Sequence, residues 1–286
     1  MPTVRVRGID FYYEEHGRRG DPPLVMAHGL LGSVAEAERF GERAADIAAL
    51  GVHVVSYDAR GHGRSGYTTR RSDYRWSALA EDMHELLRAL EIERPTIYGG
   101  SMGAGTALML ALAHPDRVER LILQSPPPFG SDIRAARRML GGLATLYQLC
   151  GTSIAARIVT ALPLMRRLDG EGTAGGMRAF LSRQRRAAIV PAIRGVLGNP
   201  LMPVERFSEI AHPALILTHP DDPIHPLASG EILRERMPHA RLAVAPSATY
   251  WQEHPAELSA LVAAFARGDG ALPGLPANVA AHGSSR

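Results

Sequence analysis

Lysine is absent from the chain. All 32 basic side chains among the 286 residues are arginines, and with 29 acids they leave a formal charge of +3. That uniformity reads as a compositional bias rather than as a binding signal. Cysteine is nearly absent too. The lone Cys150 cannot form an internal disulfide, reads as a small buried hydrophobe, and makes the cytosol the expected compartment. No cysteine or histidine cluster has ligand spacing, so structural zinc is not expected. No apolar run approaches the ~18 residues of a membrane span. Met1-Pro2-Thr3-Val4-Arg5 is not followed by an apolar stretch, so no signal peptide is expected. Basic residues interleaved with aromatics are missing, which speaks against a nucleic-acid surface.

What is present is 45% apolar and 21% charged residues, ordinary values for a globular domain. The first 125 residues alternate strand and helix signals. Short strands at 4–7 and 11–14 flank Gly8-Ile9-Asp10, and buried strands follow at 24–27, 52–57, 96–98 and 120–124. Between them the spacing predicts helices over 35–50, 79–90 and 102–113. Such alternation implies a mostly parallel sheet with helices on both faces.

Pro126-Pro127-Pro128 breaks the pattern. Helical periodicity then runs over 133–149, 153–162, 177–187 and 188–197, with glycine and proline breaks and no strand candidate. Alternation resumes with a strand at 214–218, a helix at 228–237, a strand at 242–245 and a helix at 255–266. The expected division is a sheet core of 1–125 and 207–267, a helical lid of 126–206, and a disordered tail of 268–286. Within 126–206 lie twelve arginines and four acids, a net of +8, so the rest of the chain carries −5. Arg134, Arg137, Arg157, Arg183, Arg194 and their neighbours read mainly as solvated helix faces. If some instead face a cleft, they would hold a carboxylate or phosphate, and the substrate would be anionic.

Ligands of open parallel sheets bind beyond the carboxyl ends of the strands. Four motifs stand there. Gly99-Gly100-Ser101-Met102-Gly103 lies between a strand and a helix, where small residues permit a tight turn that lifts Ser101 above the sheet edge. His28-Gly29-Leu30-Leu31-Gly32 follows the strand at 24–27. An oxyanion needs two converging N–H donors, and the amides of Leu30 and Met102 are the natural pair. Asp58-Ala59-Arg60-Gly61-His62-Gly63-Arg64-Ser65 follows the strand at 52–57. His219-Pro220-Asp221-Asp222-Pro223-Ile224-His225-Pro226 follows the strand at 214–218. His28 reads as a loop-holding residue.

In order and spacing these motifs resemble the lid-bearing α/β-hydrolases, a superfamily of esterases, lactonases, C–C hydrolases, epoxide hydrolases and haloperoxidases. The resemblance covers about 1–125 and 207–267 and implies an α/β-hydrolase fold with no cofactor. Ser101 would be the nucleophile, and Asp58 and His62 structural. The family's acid, four residues before a proline, would be Asp222, with Asp221 the runner-up. Serine in the elbow disfavours epoxide hydrolase and dehalogenase chemistry.

The family's histidine falls about seven residues before the proline that starts the last helix. Counting back from Pro255 reaches Ala248. Three readings stay open. His254 has taken over the role; the chain is a degenerate hydrolase that binds a small anionic ligand or does non-hydrolytic chemistry; or an introduced substitution at Ala248 has removed a histidine. His225 and His219, near the acid, are fallback bases. A His254 ring within reach of Ser101 would favour an enzyme, and a ring in solvent would favour a silent binding protein. The leading expectation is a serine hydrolase of small esters or lactones, acting on a small molecule, with no nucleic-acid or membrane partner and an open oligomeric state.

Overall fold

The computed structural model describes residues 2–129, 133–162 and 174–273. Eight strands form one sheet in the order β1-β2-β4-β3-β5-β6-β7-β8. They are β1 (Thr3–Val6), β2 (Ile9–His16), β3 (Pro23–Ala27), β4 (His53–Tyr57), β5 (Thr96–Gly100), β6 (Arg120–Gln124), β7 (Ala214–Thr218) and β8 (Ala240–Val244). The β1–β2 and β2–β4 pairs are antiparallel, and every pair from β4 to β8 is parallel.

The two-residue period of the strands builds two cores. Val25, Ala27, Ile97, Leu121 and Leu123 face one side of the sheet, and Leu24, Met26, Tyr98 and Ile122 face the other. Each of these leucines and isoleucines is fully buried, contributing about 1.5–3 kcal/mol of transfer free energy. On the first side lie α2 (Trp76–Ala89), α3 (Met102–Ala113) and α7 (Leu227–Arg236). On the second lie α1 (Ala44–Ala49) and α9 (Pro255–Arg267). The short α8 (Tyr250–Glu253) leads into α9.

Between β6 and β7 the described elements are α4 (Ile133–Ala161), α5 (Ala174–Ser182), α6 (Arg186–Leu197) and a 3-10 turn at Val204–Glu209. A third core joins them through Tyr147, Ile189 and Ile193, and Leu31 and Tyr74 of the sheet layer enter it. The anticipated break at Gly151 is a bend inside α4, where φ 78° and ψ 168° leave helical space. The break expected after 187 falls earlier, between α5 and α6. The expected tail lies outside the described residues beyond 273.

One helix is overturned. The stretch 35–50 is a 3-10 turn, Val34–Phe40, then α1. Gly41 separates them at φ 81°, and a Cβ there would stand 2.2 Å from the carbonyl oxygen of Trp251. The apolar periodicity was real, but close packing against α8 forces the chain to turn at the one residue without a side chain.

Candidate active site

The chain reverses direction at Ser101, whose φ of 47° and ψ of −103° are strained for a residue with a side chain. The turn closes only because its neighbours are small. A Cβ on Gly99 would meet the Gly103 carbonyl carbon at 2.3 Å, and one on Gly103 would meet the Ala27 oxygen at 2.0 Å. Gly29 of the next loop packs onto the serine, with its Cβ direction 3.4 Å from Ser101 Cβ. Among the described residues, no backbone carbonyl accepts from the Leu30 or Met102 amide.

Ser101 Oγ is 2.8 Å from His225 Nε2, and His225 Nδ1 is 2.9 Å from Asp222 Oδ2. A proton on Nδ1 donated to the carboxylate leaves the Nε2 lone pair facing the hydroxyl. Local sequence sets this up. Asp222 Oδ1 accepts from the amides of Ile224 at 2.8 Å and His225 at 2.9 Å, closing a turn that folds the imidazole back over its own acid. Pro226 then caps α7 in an extended conformation and ends the turn. Burial alone would raise the Asp222 carboxyl, but the His225 ring and the two amides outweigh it and hold it at about 2. His219 Nε2 stands 3.4 Å from the same Oδ2.

His254 is elsewhere. It caps α9, its Nδ1 is 3.2 Å from Glu257 Oε1, and its ring stacks on Tyr250 at 4.5 Å. Its side chain is 45% exposed, and it does not line the cavity that holds Ser101. Residues 250–253 form α8, which turns Trp251 into the core and leaves His254 outside. The structure therefore overturns His254 as the partner of Ser101. Ala248 lines the same cavity as Ser101, while the imidazole that reaches the serine is His225, from the β7 loop. The signal available in the sequence was the spacing Asp222-Pro223-Ile224-His225-Pro226, two residues between acid and imidazole with prolines confining the turn.

His28 and the Asp58 loop hold structure. His28 Nε2 accepts from the Ala59 amide at 2.9 Å and Nδ1 donates to Gly29 O at 2.7 Å, so both ring nitrogens are used and the ring stays neutral. Asp58 accepts from the Val34 and Arg64 amides, each at 2.7 Å. Burial, with the His28 ring adding to it, pushes His62 down to about 3. Arg60 and Asp82 form a bidentate buried pair at 2.6 Å.

The cavity above Ser101 has a volume of about 320 Å³. Leu30, Phe40, Ile224, Ala248 and Trp251 give it apolar walls, and Glu42, Asp221, Asp222, His219 and His225 are its ionisable members besides His28. Among the described residues no arginine lines it, which removes the support for an anionic substrate. Arg137 instead donates to Leu197 O, Arg183 pairs with Glu36, and Arg185 donates to Gly63 O and Ser65 O. Arg166 and Arg167 lie outside the described residues. Among the described residues no three His, Cys, Asp or Glu side chains gather as metal ligands, and no helix is long and apolar enough to cross a membrane.

A family model described as "alpha/beta hydrolase fold" matches residues 22–160. Rhodomycin D methylesterase DauP of Streptomyces sp. (strain C5) is 28% identical over 274 residues, 85% of this chain and 90% of that protein. The sn-1-specific diacylglycerol lipase ABHD11 of Mus musculus is 36% identical over 110 residues, 38% of this chain; that stretch spans only 34% of the lipase. The crystal structure of the enol-lactonase from Burkholderia xenovorans LB400 superposes with a TM-score of 0.75 at 22% identity, covering 92% of this chain and 99% of that one. At that identity the likeness speaks for the fold alone.

Proposed function

Starting from a chain that belongs to the α/β-hydrolase superfamily, we propose a serine hydrolase that cleaves small carboxylic esters or lactones through an acyl-enzyme. The observation that carries this reading is the continuous relay Ser101 Oγ–His225 Nε2–His225 Nδ1–Asp222 Oδ2 at 2.8 and 2.9 Å. The segment 126–206 would act as the lid.

A serine hydroxyl is a poor nucleophile until a base removes its proton. As Ser101 Oγ attacks the substrate carbonyl, its proton passes to His225 Nε2, and Asp222 stabilises the resulting imidazolium. The developing oxyanion would accept from the Leu30 and Met102 amides, the second at the N-terminus of α3. Collapse of the tetrahedral adduct breaks the ester C–O bond, and the departing alkoxide takes the proton from His225. Water then attacks the acyl-enzyme, giving its proton to His225, and expulsion of Ser101 releases the acid. DauP is a methylesterase and the Burkholderia xenovorans protein an enol-lactonase, names that denote the same bond class.

The test is turnover of p-nitrophenyl acetate and butyrate, with fluorophosphonate labelling of Ser101. Loss of turnover in both Ser101→Ala and His225→Ala is expected. Turnover that survives His225→Ala would remove the relay from the reading, and an unlabelled Ser101 would remove the serine.

A further inference from the structure

Resting on that reading, we propose that Glu42 is a polar subsite of the same cavity, whose protonated carboxyl donates a hydrogen bond to an ether, keto or hydroxyl oxygen of the substrate. The substrate class is thereby narrowed to esters or lactones bearing an oxygen acceptor beyond the scissile carbonyl.

Glu42 is a charged-type residue in a place that charge avoids. It is 8% exposed, lines the cavity, and belongs to none of the arrangements that hold Ser101, His225 or Asp222. The left-handed turn at Gly41, pressed against Trp251, aims the next side chain inward. Glu42 Oε1 then lies 3.4 Å from the Cβ direction of Gly100, the residue before the serine. Among the described residues its carboxyl has one partner, the Tyr98 hydroxyl, 3.3 Å from Oε1. That hydroxyl also bonds to Gln124 Oε1, so its single proton is shared between two acceptors. Oε2 has no partner among the described residues and is open to the cavity that Glu42 lines.

Among the described residues no arginine lines the cavity to compensate a carboxylate. Burial therefore pushes the Glu42 carboxyl up to about 8, against a smaller opposing effect of Tyr98. At neutral pH it carries a proton and acts as a donor. The neutral form also spares the oxyanion a negative neighbour. A donor that faces an apolar-walled cavity without a protein partner gains a hydrogen bond when a ligand supplies an acceptor there, which is how a polar group in such a cavity selects its substrate.

The experiment uses two matched ester pairs. One pair is p-nitrophenyl 3-methoxypropanoate and pentanoate, and the other is 2-methoxyethyl and butyl acetate. The readout is the ratio of kcat/KM within each pair, for wild type, Glu42→Gln and Glu42→Met. Wild type is expected to favour the oxygenated member of at least one pair by about tenfold beyond its hydroxide-catalysed reactivity. Glu42→Gln, which keeps a donor, should retain the preference, and Glu42→Met should abolish it.

A pH series protects the test if Glu42→Met does not fold. Ionising Glu42 removes the donor, so the wild-type ratio should fall between pH 7 and pH 9 while the Glu42→Gln ratio stays flat. The other ionisable groups around the cavity, His28, His219, Asp221, Asp222 and His225, act on both members of a pair alike and cancel. Tyr98, which touches Glu42 directly, is raised by burial and stays protonated through this range. Equal ratios in wild type and Glu42→Met, or a wild-type ratio unmoved by pH, overturn the subsite. No turnover of any ester, with Ser101 unlabelled, overturns the serine reading instead.

Discussion

Two loops leave the carboxyl ends of adjacent parallel strands, and they divide the chemistry unevenly. The loop after β7 carries Asp222 and His225, bonded to each other at 2.9 Å with the ring against Ser101. The loop after β8 carries Ala248 at the cavity wall and sends its one histidine, His254, to the surface beside Glu257. Relay geometry asks only for an imidazole nitrogen within hydrogen-bond reach of the serine and a carboxylate behind the ring. Both loops line the cavity that holds Ser101. Which one supplies the imidazole is decided by the four-residue turn Asp222–His225 in the first and by a short helix, α8, in the second.

Four predictions break or sharpen that contrast. The largest effect is expected from His225→Ala, a fall in kcat/KM of about 10⁴-fold or more in a p-nitrophenyl butyrate assay. A fall under tenfold would mean that the base lies outside the β7 loop. Next, His225→Val combined with Ala248→His moves the imidazole to the β8 loop. It should recover about 10- to 100-fold of the activity lost by His225→Val alone. No recovery would show that Ala248 lines the cavity without facing the serine productively.

Third, Glu42 separates the acidic side of the cavity from the relay through stability. The folded carboxyl titrates at about 8 against an ordinary 4.5, so the folded state binds the extra proton between these values. Stability is therefore full below 4.5 and declines as pH rises toward 8. Glu42→Gln should raise unfolding free energy by about 3–5 kcal/mol at pH 8 and by almost nothing at pH 4.5. Urea melts at both pH values read this, and a pH-independent difference would remove the titration. Smallest is His254→Ala, expected to leave kcat/KM within about twofold and stability within ~0.5 kcal/mol. A loss near that of His225→Ala would return the base to the β8 loop.

The sheet was legible because burial on both faces writes itself into β-branched and apolar runs such as His53–Tyr57 and Arg120–Gln124. The elbow was legible because its glycines are demanded by clashes that any Cβ would create. Less visible was the break at Gly41, where a carbonyl of Trp251, distant in sequence, overrides local helical spacing. His225 stood in view only as a fallback, since a histidine three residues from an acid has many uses and only the fold puts Ser101 beside it. Glu42 carried no signal at all. Its meaning comes from burial against Tyr98 and Gly100, which local pattern does not encode.

The short tether between Asp222 and His225 has a consequence for how the site assembles. In a relay whose acid and imidazole come from separate strand loops, their encounter depends on the whole edge of the sheet being in register. Here the two groups are joined by Pro223 and Ile224, so ring closure costs little chain entropy and the pair is preassembled by local turn formation. Fraying of β8, α8 or α9 would leave the ion pair intact. The chain from β8 onward is thereby released from holding an imidazole in place, and the wall formed by Ala248, Trp251 and Gln252 is free to vary with the ligand.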